Sequence, residues 1–194
     1  MNTIDIIKTN FEESRKANSL SCEHILESID NATSQILMML DNSGKLLTCG
    51  NGGSSGDAQH IASEFINRFE VERKSLPAVS LNSDTATLTS IANDYGYKYV
   101  FSKQINAIGN TDDILMVFTT SGNSENILEA IAAAKNKKIS ILLLSGGDGG
   151  KAIKLLDDSD MKIIVPSKRT SRIQEIHLII IHSICECIDK HLSK

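Results

Sequence analysis

The sequence predicts one doubly wound α/β domain, flavodoxin-like, built on a five-stranded parallel sheet. Three observations carry that reading. Five short apolar runs are continuous rather than alternating, which marks strands buried on both faces. Segments with apolar residues at helical spacing separate them, the pattern of βα units. Turns rich in glycine and hydroxyl residues follow the first, third and fourth runs, where open parallel sheets bind ligands beyond the carboxyl ends of their strands.

Taken in order, apolar residues recur at helical spacing from Ile4 to about Ala17 and from Ile25 to Leu40, predicting two opening helices. Lys45 to Cys49 is the first strand, and the turn Gly50-Asn51-Gly52-Gly53-Ser54 follows it directly. A helix is expected from Gly56 to about Arg68, then a strand from Pro77 to Leu81 and helices over Ala86–Ala92 and Tyr99–Ile108. Asp113 to Phe118 is the third strand, Thr119 to Ser124 its turn, and Glu125 to Lys135 the next helix. Ile139 to Leu144 is a strand, Ser145 to Gly150 a turn, Ala152 to Leu156 a short helix and Met161 to Val165 the last strand. A long helix from about Ser171 to Ile188 closes the chain. No linker or repeat divides it, so residues 1–194 read as one domain, with a helical pair over 1–42 and an α/β core over 43–194.

Composition narrows the function. With 41% hydrophobic and 23% charged residues the chain is neither disordered nor membrane-embedded, and no apolar run reaches the roughly 18 residues of a membrane helix. A net charge of -4 offers no general attraction to nucleic acid or anionic lipid, so any phosphate must be held by a built site. The absence of Trp and 4% aromatic content leave no stacking platform for single strands. Asp5, Glu12 and Glu13 near the start do not suit a signal peptide, and a cytoplasmic protein is expected. Cys22, Cys49, Cys185 and Cys187 are too few and scattered for a disulfide framework, and read as packing thiols.

Four constellations carry chemistry. Glycines in the Gly50–Ser54 turn permit positive φ and close approach of backbone to a ligand. The turn misses the dinucleotide fingerprint at Ser55 and lacks the Lys of a Walker loop. Thr119-Thr120-Ser121-Gly122-Asn123-Ser124 offers four hydroxyls at a helix N-terminus, the parts of a phosphate cradle that needs no basic residue. Simple capping by Ser121 or Ser124 would need only one of them. His60 and Glu64 sit four apart, one turn of helix, suited to sharing a metal or a proton or to pairing at the surface. Gln174, Leu178 and His182 form a stripe on the apolar last helix, where a buried polar group needs a partner.

Together CGNGGS, DAQHIASEF, IANDYG, TTSGNS, SGGDGG and SRIQEIH resemble a sugar isomerase (SIS) domain, and within it the bacterial phosphoheptose isomerases. The resemblance spans nearly the whole chain. It implies an aldose–ketose isomerase that converts sedoheptulose 7-phosphate to D-glycero-D-manno-heptose 7-phosphate, for the heptose precursors of surface polysaccharide. It also implies a cytoplasmic homotetramer that binds Zn2+, one ion per subunit. By position, His60, Glu64, Gln174 and His182 match the zinc ligands, and Glu64 and His182 the acid–base pair. Asn51, Gly52, Gly53, Ser54, Glu64, Asn93, Asp94, Thr119, Thr120, Ser121, Ser124 and Gln174 match substrate contacts. Ser171 departs from the pattern, standing where some members carry Asp near the substrate.

Turning a 2-ketose into a 2-hydroxyaldehyde moves one proton between C1 and C2 through a cis-enediol and another between the two oxygens. Glu64 suits the first transfer and His182 the second. Gln174 and His182 are about 12 Å apart along a straight helix, far for two ligands of one ion held near 2 Å. Supplying them from different chains, or bending the helix, is easier, and with the apolar opening and last helices to cover, a site shared between chains of a homo-oligomer is expected. A rival reading is a non-catalytic SIS adapter that binds the bacterial replication initiator, which INRFEVERKSLPAVSLN and SRIQEIH resemble at least as much as they do the enzyme. That adapter lacks the groups matching Glu64 and His182, and this chain has both.

Overall fold

The computed structural model describes residues 2–193. Helices α1 (Thr3–His24) and α2 (Leu26–Asp41) lead into strand β1 (Leu46–Gly50), helix α3 (Gly53–Ile66) and strand β2 (Ala78–Ser80). Helices α4 (Thr85–Tyr95) and α5 (Ser102–Ile108) follow, then β3 (Ile114–Phe118), α6 (Glu125–Asn136), β4 (Ser140–Gly146), β5 (Met161–Val165) and α7 (Thr170–Leu192). Short 3₁₀ turns occupy Tyr97–Tyr99 and Ala152–Leu155. All five strands pair in parallel in the order β2-β1-β3-β4-β5, the flavodoxin-like order.

The apolar strands bury both faces, and two cores result. Ile36, Ile61, Phe65, Ile173 and Ile180 fill one, from α2, α3 and α7. Phe101, Ile105, Ile127 and Ile131 fill the other, from α5 and α6. Cys49 and Cys185 are buried thiols, and burial pushes Cys185 up to about 12 and Cys49 higher still, so both stay protonated packing groups. Cys22 and Cys187 are exposed.

Several boundaries differ from the expectation. The Tyr99–Ile108 helix starts only at Ser102, the Ala86–Ala92 helix spans Thr85–Tyr95, the fourth strand runs to Gly146 into the expected turn, and the last helix reaches Leu192. The first helix runs on past Ala17 to His24, although Asn18, Ser19, Ser21 and Cys22 give no apolar stripe. Its reciprocal cap, Asn2 with Asp5, and its packing on α7 sustain it. The helix after the first turn begins at Gly53 rather than Gly56, so only Asn51 and Gly52 form the turn proper. Gly52 takes φ 56°, which turns the chain from strand into helix, and the Ser54 and Ser55 amides donate to the Asn51 and Gly52 carbonyls at 3.0 Å.

Register places the site. Gly50 pairs with Phe118, so Asn51 and Thr119 leave the sheet side by side. β1 and β3 flank the point where strand order reverses, and the crevice of such a sheet opens there.

Candidate active site

A cleft of about 320 Å³ opens at that point. Asn51, Gly52, Gly53 and Ser54 form one wall, Thr119, Thr120, Ser121 and Ser124 the other, and Gln174 reaches in from α7. The structure thus brings together residues that the sequence placed on two turns and a distant helix. Phe118 and Thr170 also line the cleft and carried no signal in the motifs. Thr170, not Ser171, is the α7 residue at the rim, so the departure at Ser171 lies outside the lining.

Ser124 stands at the N-cap of α6 in extended conformation, yet its side chain makes no capping hydrogen bond. The hydroxyl remains available to a ligand, beside the amides of Glu125 and Asn126, while the Ile127 amide donates to the Ser124 carbonyl at 3.0 Å. Thr119 is engaged within its own loop, where its Oγ1 accepts the Gly122 amide at 3.1 Å and braces the turn. Gly122 has φ 64°, and a Cβ there would meet the Gly149 carbonyl at 2.0 Å. The Ala152 amide donates to the Gly122 carbonyl at 2.9 Å, so the SGGDGG turn buttresses the hydroxyl loop from behind.

The opposite wall is braced by residues outside the motifs. The amides of Asn51 and Asn126 exchange two hydrogen bonds of 2.8 Å, and the Tyr97 hydroxyl donates to Asn51 at 3.3 Å. Asn82 accepts from the Gly50 amide and donates to the Gly50 carbonyl. Asn126 is a polar residue facing inward in the first turn of α6, and that burial was its one available signal. Gln174 lies against Gly53 so closely that a Cβ at Gly53 would sit 2.5 Å from its amide nitrogen.

The other expected residues collect elsewhere. His60 Nε2 and Glu64 Oε1 are 3.1 Å apart, both side chains partly exposed on α3. His182 joins them, its ring 5.1 Å from that of His60 and stacked on Phe69 at 5.5 Å. Glu64 is ten residues beyond Ser54, about 15 Å along α3. Asn93 and Asp94, near the end of α4, are exposed, hydrogen-bonded to each other at 2.9 Å, and absent from the cleft lining. One chain therefore holds the cleft residues and the His60–Glu64–His182 cluster at separate stations.

Two imidazoles beside a carboxylate are a donor set that suits zinc. Yet among the described residues no three His, Cys, Asp or Glu side chains are grouped to hold a metal ion, and Gln174 sits at Gly53, a helix station away from His60.

Between the two stations lies a buried polar gap. His177 of α7 is fully buried, neither ring nitrogen has a hydrogen-bond partner, and its Nδ1 is 4.0 Å from Asp57 Oδ2. Burial pushes His177 down to about 4, only partly opposed by the Ser145 backbone. Burial also pushes Asp57 up to about 6, with the His60 charge opposing it.

A family model described as the SIS domain matches residues 11–146. A phosphoheptose isomerase of Alkalilimnicola ehrlichii is 50% identical over 192 residues, covering 99% of this chain and 98% of its own. The solved phosphoheptose isomerase of Francisella tularensis superposes with a TM-score of 0.96 at 42% identity, covering 98% of this chain and 100% of that one. The one from Neisseria gonorrhoeae gives 0.93 at 42% identity, over 97% of this chain and 100% of its own.

Proposed function

Because the chain belongs to the SIS domain family, among its phosphoheptose isomerases, we propose an enzyme that interconverts sedoheptulose 7-phosphate and D-glycero-D-manno-heptose 7-phosphate. The full-length match to proteins of that name carries the reading. No finding supports the adapter. Among the described residues no helix is long and apolar enough to cross a membrane. The product feeds heptose precursors of surface polysaccharide, and the enzyme works in the cytoplasm as one SIS domain.

The hydroxyl loop at the start of α6 and the glycine turn hold the phosphate without a lysine, through free amides and the Ser124 and Ser121 hydroxyls. Gln174 and the Asn51–Gly53 backbone orient the sugar chain, with Asn93 and Asp94 closing over it. The Glu64 carboxylate takes the proton from C1 and returns it to C2. His182 moves the second proton between the two oxygens. His60, Glu64, His182 and Gln174 are the residues that would hold zinc. Bound there, the ion would supply Lewis-acid stabilisation of the charge that develops on the two oxygens.

Proton transfer requires about 3 Å between donor and acceptor, and the stations in one chain are about 15 Å apart along α3. A homo-oligomer, here a tetramer, resolves this by setting the cradle of one chain against the Glu64 and His182 of another. Exposed apolar residues support assembly: Ile4, Ile7 and Phe11 on α1, Leu26 and Met38 on α2, Leu178 and Ile179 on α7.

The test is turnover of sedoheptulose 7-phosphate by zinc-free and zinc-restored protein. Conversion to the aldose, restored by zinc, is expected. Absence of conversion with zinc present overturns the isomerase reading.

A further inference from the structure

Helix α3 ends without glycine, at Asn67, and its last carbonyls need donors. Arg73 supplies them. Its guanidinium donates to the Glu64 carbonyl at 2.7 Å and to the Phe65 carbonyl at 3.1 Å. Its Nε donates to Asp189 Oδ1 at 2.5 Å, and both side chains are almost wholly buried, 4% and 2% exposed. The other Asp189 oxygen accepts the amides of Glu70 and Val71 at 3.1 and 3.3 Å.

The pair's contacts lie beside the His60–Glu64–His182 cluster: at the Glu64 carbonyl on one side and one residue from Phe69 on the other. The Glu64 carbonyl belongs to the residue assigned as base. Asp189 stands on α7 seven residues after His182, about two turns on and on the same face. The segment it holds by two amides adjoins Phe69, whose ring stacks on His182. A buried guanidinium needs a counter-charge for any role, but it does not need that carboxylate also to hold the amides of residues 70 and 71, next to Phe69. We propose that Arg73 and Asp189 are positioning residues that set Glu64 and His182 against each other across α3 and α7. This rests on the isomerase reading above.

Lysine cannot replace the arginine, because one ammonium lacks the planar fork that reaches Asp189 and the Glu64, Phe65 and Lys74 carbonyls in fixed directions. Arg73→Lys and Asp189→Glu both keep the charges and disturb the geometry. The experiment measures kcat, KM for sedoheptulose 7-phosphate, zinc affinity by chelator competition, and folding by circular dichroism. In both variants kcat and zinc affinity should fall about 10- to 100-fold, as for residues that orient a site without touching substrate. KM should stay within about twofold, because neither residue is among those lining the cradle.

A purely structural role would lower the melting temperature and leave kcat per folded site unchanged. Values of kcat and zinc affinity within about threefold of wild type, in a folded variant, overturn the proposal. Should Arg73→Lys fail to fold, Asp189→Glu decides by the same thresholds. A wild type without turnover defeats the isomerase reading instead, and zinc affinity alone then judges the pair.

Discussion

Replacing Glu64 by Gln keeps the shape of a side chain whose Oε1 lies 3.1 Å from His60 Nε2, and removes its ability to accept and return a proton. Turnover should fall by about 10² to 10⁴-fold from the lost base alone, and further if zinc is held less well. Inhibition by inorganic phosphate should not change, since the cradle is built from the glycine turn and the Thr119–Ser124 loop and not from Glu64. Steady-state kinetics with phosphate as inhibitor checks both, and activity within about threefold of wild type would remove Glu64 from the mechanism. Deeper in, His177 and Asp57 predict a pH signature. His177 is lowered to about 4 from an ordinary 6.5, so its share of stability is complete above 6.5 and lost as pH falls toward 4. Asp57 is raised to about 6 from 3.8, so its share is complete below 3.8 and lost as pH rises through 6. Between pH 4 and 6 the slopes oppose each other and stability should be nearly flat. His177→Leu removes one slope. Its urea midpoint should then decline from pH 4 to 6, and an unchanged profile would contradict the assignment.

Among the elements, α3 and α7 meet where Gly53 begins one and Gln174 reaches from the other. Gly53→Ala suits a helix start, since alanine in a helix is favoured over glycine by up to about 1 kcal/mol. The new Cβ, however, would fall 2.5 Å from the Gln174 amide nitrogen and displace it. A flexible side chain can yield where backbone cannot, so the fold survives and the cleft loses its orienting amide. The melting temperature should hold or rise slightly while KM for the sugar phosphate increases severalfold. Thermal melts and initial-rate kinetics separate the two effects. A drop in melting temperature with KM unchanged would show that Gln174 has no part in binding.

Across the assembled protein, a site shared between chains makes a prediction that a self-contained chain does not. Ser124→Asp places a carboxylate in the cradle, where it repels phosphate, at an N-cap position that accepts Asp readily. Glu64→Gln keeps the cradle and removes the base. Each variant alone should be inactive. Mixed and reassembled in equal amounts, they should recover about a quarter of wild-type turnover, because one pairing in four joins an intact cradle to an intact Glu64. No recovery, with exchange of chains verified by mass spectrometry, would place the complete site within one chain.

The elements and their order, the two ligand turns, and the one-turn spacing of His60 and Glu64 were all legible in the chain before it folded. Each is encoded by residues close together: continuous apolar runs, helical spacing, glycine where φ turns positive. The family resemblance also matched Gln174 and His182 to one zinc site. Where those residues stand was a matter for tertiary packing: Gln174 against Gly53, His182 against His60, with a fully buried His177 between them. Packing likewise committed Asn51 to Asn126 across 75 positions and joined Arg73 to Asp189 across 116. Such pairs depend on which strand lies beside which and how a helix is rotated on the sheet. A hydrogen bond between distant residues leaves no period in the chain, so nothing local announces it until the sheet has brought its partners together.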